Sequence, residues 1–233
     1  MTDGAGIAER LAEVRAVVAS AARAGGRADD AVTLVAVTKT VALDDVRAAL
    51  AAGAVDLGEN RAQELVAKAE SVAGDPPSGS GASGGAHWHF IGRLQRNKVR
   101  SLAPHVALWQ SVDRADLAAE IGRRAPGAAV LVQVNVTGEP QKGGCPPDAV
   151  NGLVDQCRAH GCDVVGLMTV PPLDGDPRPV FAQVRRMTDD LGLRVCSMGM
   201  SGDYEVAIGE GSTMVRVGSA IFGPRPGPAG ARR

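Results

Sequence analysis

Apolar residues along this chain fall into two alternating kinds of run, short compact ones and longer ones spaced three and four apart. Ile7, Leu11, Val14 and Val18 lie on one stripe of an amphipathic helix predicted over Thr2–Arg23, and Gly25-Gly26 ends it. Thr33–Thr38 is then a compact Leu/Val/Ala run, the kind of strand a parallel sheet buries on both faces. Helices are predicted over Leu43–Ala52, stopped by Gly53, and over Glu59–Val72, with a strand at Val55–Gly58 between them. The alternation continues with strand His87–Ile91, helix Leu94–Leu102, strand Ala107–Ser111, helix Arg114–Arg124, strand Ala129–Asn135 and helix Pro147–His160. Strand Asp163–Leu167, helix Arg178–Leu191, strand Arg194–Ser197, helix Asp203–Glu210 and strand Thr213–Gly218 complete it.

Eight strands, each followed by a helix or turn within 233 residues, predict an α/β fold: a single TIM-type (β/α)8 barrel with an extra N-terminal helix. A doubly wound open sheet competes, because alternation does not distinguish closed from open. Eight strands without a GxGxxG after the first favour the closed form. Residues 1–225 are expected to form one domain. Within it, 74–86 (GDPPSGSGASGGA) is too rich in Pro, Gly and Ser to pack a core and is expected to be a flexible loop. The tail at 226–233 is expected to be disordered.

Composition narrows the function classes. Lys+Arg 25 against Asp+Glu 26 gives a net charge of -1, so no basic field recruits nucleic acid or an anionic membrane. With 3% aromatic residues there are few platforms for stacking bases. The longest uncharged apolar runs, such as Ala128–Val136, have strand length, and the acidic Asp3, Glu9 and Glu13 argue against a secretory signal. Cys145, Cys157, Cys162 and Cys196 form no CxxC pair and read as reduced thiols of a cytoplasmic chain.

Candidate chemistry is sought at the C-terminal ends of the strands, where such barrels act. Only four lysines occur: Lys39, Lys68, Lys98 and Lys142. Alternation puts Lys39 on the face of Val35 and Val37, at the barrel mouth if those two point inward. Desolvation there favours the free amine that attacks a carbonyl. A lysine reaching to solvent from a strand end is the competing reading. Lys68 reads as part of a helix face and Lys142 as part of a Gly-rich loop, both solvated, and Lys98 is left open. On the eighth strand Arg216 shares a face with Met214, pointing into the barrel or the helix layer. It needs a carboxylate such as Glu59, a phosphate or a ring nitrogen as partner. After the seventh and eighth strands, the turns with Ser201 and with Gly218-Ser219 leave backbone N–H groups open to an anion. Simple helix capping by Ser201 explains the same residues otherwise. A reactive amine, an inward arginine and a phosphate cup together fit a phosphorylated aromatic aldehyde, pyridoxal 5′-phosphate. Its aldehyde would meet Lys39, its phosphate Ser201, Gly218 and Ser219, and its ring nitrogen Arg216.

AVTK at 36–39, LGENRAQEL at 57–65, HWHFIGRLQRNK at 87–98, GLMTVPP at 166–172, SMGMSGDYEVAI at 197–208 and VRVGSAIFGPR at 215–225 resemble the pyridoxal phosphate homeostasis proteins, single-domain relatives of the alanine racemase N-terminal barrel. The resemblance implies a fold-type III barrel holding pyridoxal phosphate as a Schiff base on Lys39. It implies phosphate contacts at Ser201, Gly218 and Ser219, Arg216 near the pyridine nitrogen, and Asn60 and Met198 lining the cofactor. Thr38 stands where Ser is usual, and Arg61 and Ala62 stand where an aromatic is common.

Arginine beside the ring nitrogen favours a binder over an enzyme. It donates and cannot accept, so the nitrogen stays neutral and carbanions are poorly stabilised. The only tyrosine, Tyr204, is placed inside a helix, and no residues are expected to remain for a second domain supplying another acid/base. The expected role is a monomeric, non-catalytic carrier contributing to vitamin B6 and amino-acid homeostasis, handing cofactor to apo-enzymes. A racemase-like enzyme is the alternative, and a sugar-phosphate-binding barrel a third class. His87 and His89 share a strand face with no further ligands to complete a metal site. Asp44-Asp45 and Asp189-Asp190 read as solvated helix-end charges. The basic stretch Arg93–Arg100 reads as a solvated face, with a second phosphate or a partner as the alternative.

Overall fold

In the computed structural model, the described residues are 4–73, 85–172 and 174–224. Residues 74–84 of the predicted loop and the predicted tail 226–233 lie outside them. Eight strands run parallel: β1 (Thr33–Val37), β2 (Asp56–Glu59), β3 (His87–Phe90), β4 (Val106–Val112), β5 (Ala129–Val134), β6 (Asp163–Thr169), β7 (Val195–Met200) and β8 (Met214–Val217). Each pairs with the next and β8 pairs back onto β1, with Val35 opposite Arg216, closing the barrel. This is the TIM-type barrel expected from the alternation.

The helices are α1 (Gly4–Ala24), α2 (Leu43–Ala51), α3 (Ala62–Val72), α4 (Val99–Leu102), α5 (Ala115–Arg124), α6 (Val150–Ala159), α7 (Arg178–Asp190), α8 (Tyr204–Gly209) and α9 (Ser219–Phe222). Several boundaries depart from the expectations. The helix expected from Glu59 begins at Ala62, because Glu59 ends β2 and Arg61 is extended. The helix expected over Leu94–Leu102 is a 3₁₀ turn, Arg96–Lys98, followed by the single turn of α4. Ahead of that turn Gln95 is extended and the Leu94 carbonyl accepts from Arg114 Nη2 at 3.1 Å. The short α9 after β8 went unpredicted.

Side chains divide by strand alternation. Val35, Leu108, Leu131, Val165, Met168 and Met214 fill the barrel interior, while the larger cluster packs between barrel and helices. The extra helix α1 lies across α2, α8 and α9, over the seam where β8 meets β1. Its predicted stripe, Ile7, Leu11, Val14 and Val18, is buried. Burying each such side chain contributes about 1.5–3 kcal/mol. Arginines tie this segment down: Arg15 donates to the carbonyls of Ala52 and Gly53 beyond α2, and Arg27 to those of Ile208 and Ser212. Cations there oppose the negative ends of α2 and α8.

Candidate functional site

The last residue of β1 and the turns after β1 and β8 surround a pocket of about 270 Å³ lined by Val37, Lys39, Thr40, Val41, Gly218 and Ser219, among others. Lys39 follows β1 and is half-buried. Val35 and Val37 face inward: a Cβ built on Gly58 of β2 would lie 3.0 Å from Val35 Cγ1 and 3.5 Å from Val37 Cγ2. Gly218 is small for a reason, since a Cβ there would sit 3.2 Å from the Val37 carbonyl and 3.3 Å from its Cβ. That close approach brings the β8 turn against the strand end carrying Lys39. Ser201 joins from β7: its Oγ accepts the Gly218 N–H at 3.1 Å. It does not cap α8, whose N-cap is Asp203; Asp203 instead accepts the Met200 N–H at 2.6 Å, closing the same turn.

The backbone on both sides of Lys39 is held by a network that the sequence reading missed. Lys68 Nζ donates to the Thr38 carbonyl and to Glu59 Oε1, each at 2.6 Å. The Thr38 hydroxyl donates to the same Oε1 at 2.7 Å, and the Thr40 N–H to Glu64 Oε2 at 3.0 Å. Thr40 sits at φ 62°, a left-handed conformation costly for a β-branched residue, which these neighbours hold in place. Lys68 is therefore not a solvated helix-face lysine but a buried one, and Glu59 is its partner rather than that of Arg216. Burial pushes the Glu59 carboxyl above its ordinary range, against the hydrogen bond and charge of Lys68. The spacing Glu64–Lys68, four apart on α3, was the only sequence signal. Lys142 too is half-buried and paired rather than solvated, donating to Glu139 and to the Pro171 carbonyl.

Arg216 points into the barrel, 4% exposed. Its Nη1 donates to Ser197 Oγ at 2.7 Å and its Nη2 to the Thr169 carbonyl, at the C-terminal end of β6, at 2.8 Å. A guanidinium has five N–H donors; with two engaged, three have no protein partner among the described residues. Desolvation lowers its pKa to about 10, so it stays charged at neutral pH. Asn60 follows β2 beside a second pocket, of about 210 Å³, with Arg61, Phe90, Arg93, Leu94 and Lys98, and its Oδ1 is buried without a partner. Met198 lines neither pocket. The strand expected to end at Ser197 continues to Met200, so alternation turns Met198 outward. Its sulfur contacts Cys196 Sγ at 3.6 Å in the cluster beneath the helices, and its side chain does not line the interior. His87 and His89 both approach Asp56 Oδ1, at 3.4 and 3.1 Å, with His87 exposed and His89 interior. Among the described residues no cluster of three or more His, Cys, Asp or Glu is placed to hold a metal. No described helix is long and apolar enough to cross a membrane.

Comparison with known proteins agrees with this geometry. The family model for the alanine racemase N-terminal domain matches residues 13–226. A pyridoxal phosphate homeostasis protein of Deinococcus radiodurans is 45% identical over 221 residues, 91% of this chain and 97% of that protein. One of the same name from Pseudomonas aeruginosa is 40% identical over 229 residues, covering 94% and 96%. The structure of PipY of Synechococcus elongatus with PLP bound superposes with a TM-score of 0.78 at 32% identity, covering 93% of this chain and 100% of that one. The chain belongs to the alanine racemase N-terminal-domain family and, within it, to the pyridoxal phosphate homeostasis proteins.

Proposed function

We propose that this protein binds pyridoxal 5′-phosphate at the C-terminal mouth of the barrel and holds it in reserve without turning over a substrate. The observation that carries the reading is that Lys39, Gly218 and Ser219 line one pocket after β1 and β8, with Arg216 turned inward on β8. The residues fit the group on their own terms. Arg216 has unengaged donors, and Asn60 Oδ1 is a buried orphan at the same end of the barrel. Lys39 would be the residue that holds the group covalently through its amine, and the group would supply the aldehyde for it.

The chain's own residues do the rest. Ser201, Gly218 and Ser219 bind the phosphate, their small side chains leaving room for an anion. Asn60 lines the ring. Arg216 donates to the ring nitrogen, and because it stays charged and has no lone pair to offer, it keeps a proton off that atom. An unprotonated ring is a weak electron sink, which suits storage over catalysis. Racemisation needs a second acid/base, and the chain's one tyrosine, Tyr204, is buried in α8 with burial raising its pKa. Free, buried cysteines suit a reducing cytoplasm, where the protein would serve as a monomeric carrier supplying apo-enzymes. The test is a near-visible absorbance spectrum of the protein with added pyridoxal phosphate, followed by borohydride reduction and peptide mapping. The adduct should map to Lys39 and vanish in Lys39→Ala; a protein that takes up no cofactor, or an adduct on another residue, overturns the reading.

A further inference from the structure

A line of polar side chains crosses the apolar barrel interior from end to end. It starts at Asp56, the first residue of β2, at the N-terminal end of the strands. Asp56 Oδ1 lies 3.1 Å from His89 Nε2. His89 Nδ1 lies 2.8 Å from Gln110 Nε2, Gln110 Oε1 lies 2.7 Å from Ser197 Oγ, and Ser197 Oγ lies 2.7 Å from Arg216 Nη1. His89, Gln110, Ser197 and Arg216 are all buried. They sit on β3, β4, β7 and β8, so the line links opposite walls of the barrel as well as its two ends.

The donors and acceptors fix its direction. Arg216 can only donate, so Ser197 Oγ accepts from it and gives its own proton to Gln110 Oε1. The Gln110 amide is oriented by its other contact: Nε2 also faces Met214 Sδ at 3.2 Å, which suits N–H and not C=O. Nε2 then donates to His89 Nδ1, leaving the ring proton on Nε2, where it meets the Asp56 carboxylate. Every bond runs the same way, from guanidinium to carboxylate, and bonds aligned in series polarise one another. The carboxylate is kept ionised: burial raises its pKa, but the hydrogen bond from His89 and the further interaction with His87 together outweigh that and lower it. Around Arg216 itself, no carboxylate lies within ion-pairing distance among the described residues, and Asp203 acts on it only through space.

We propose that Asp56 is a positioning residue for Arg216, acting from the far end of the barrel through His89, Gln110 and Ser197. The line holds Nη1 on Ser197 and so sets the plane of the guanidinium and the direction of its unengaged N–H groups. The consequence for a ligand rests on the function proposed above: the line makes Arg216 selective for a ring nitrogen acceptor.

The experiment has two arms. In the ligand-free protein, nitrogen-15 spectra of the imidazole and guanidinium groups should show His89 protonated on Nε2 and Arg216 Nη resonances resolved by slow rotation. Asp56→Ala and Gln110→Met should shift or broaden those Arg216 signals, while Asp56→Asn, whose amide oxygen still accepts, restores them. In the second arm, affinity is compared for pyridoxal 5′-phosphate and for its carbocyclic analogue with C–H in place of the ring nitrogen. Asp56→Ala and Gln110→Met should weaken the first by about fivefold, the loss of one modest hydrogen bond, and leave the second unchanged. Unaltered Arg216 resonances in both Asp56→Ala and Gln110→Met overturn the proposal whether or not cofactor binds. An equal loss for both probes overturns it as well, since that is general structural damage. Wild-type protein that binds neither probe defeats only the cofactor reading, and the first arm alone then decides whether Asp56 positions Arg216.

Discussion

Replacing Lys68 by methionine keeps the length of the side chain and removes its ammonium. The Thr38 carbonyl loses a donor but keeps the Val41 N–H at 2.9 Å, so little is lost there. Glu59 is worse placed. It is fully buried, its Oε2 already lacks a partner, and only the Thr38 hydroxyl at 2.7 Å would remain on Oε1. Removing one member of a buried ion pair costs about 3–5 kcal/mol, a large share of the ~5–15 kcal/mol that holds a domain folded. Glu59 can escape part of that cost by taking up a proton. Burial already raises its pKa against the pull of Lys68, and without Lys68 the rise is larger. A carboxyl raised in the folded state binds its proton longer there than in the unfolded chain. Its contribution is therefore intact below the unfolded pKa and is lost as pH rises through the folded one, at roughly 1.4 kcal/mol per pH unit. Urea unfolding of Lys68→Met should show a modest loss near about pH 5 and the full loss near about pH 8. Adding Glu59→Gln should recover at least half of it and flatten the pH dependence. The same loss at both pH values, or a loss under about 1 kcal/mol at the higher one, would refute the reasoning.

Two further outcomes follow from the packing. Gly199 has φ 97°, and a Cβ there would lie 2.6 Å from Ala207 Cβ and 3.0 Å from Tyr204 Cα, so Gly199→Ala should cost about 2–4 kcal/mol in urea unfolding and loosen the turn bearing Ser201; a loss under about 0.5 kcal/mol would mean that α8 moves aside freely. All four cysteines are free and buried, and burial pushes Cys145 up to about 11 and Cys157 up to about 12. Because the thiolate is the reactive form, Ellman's reagent should label none of them within minutes in native protein and all four after denaturation, and fast labelling of Cys157 in the native state would contradict the burial.

What could be read from the sequence was whatever periodicity encodes. Alternation along β8 put Met214 and Arg216 on one face, and the structure shows that face turned inward. Alternation along β1 put Lys39 at the mouth on the side of Val35 and Val37, and the pocket is lined by Val37 and Lys39 together. Met198 came from the resemblance alone, and the boundary matters to it: a strand running on past Ser197 to Met200 turns its side chain toward the helices. Partners are another matter, because periodicity gives a face and never the residue opposite. Glu59 stood as one of three alternative kinds of partner for Arg216, and Lys68 was read as solvated. Both follow from treating each charge alone, when closing the barrel places α3 against the end of β1 and lets Lys68 reach Glu59 and Thr38 together. The line from Asp56 to Arg216 was out of reach for the same reason. Its members come from β2, β3, β4, β7 and β8; Arg216 and His89 stand out singly, but Asp56, Gln110 and Ser197 read as unremarked polar residues, and nothing in the sequence joins the five. A barrel interior has room for few polar side chains, and each needs a partner there. Once the strand faces are known, the inward polar residues His89, Gln110, Ser197 and Arg216 must therefore find one another, and Asp56, at the wet end, supplies the charge that completes the line.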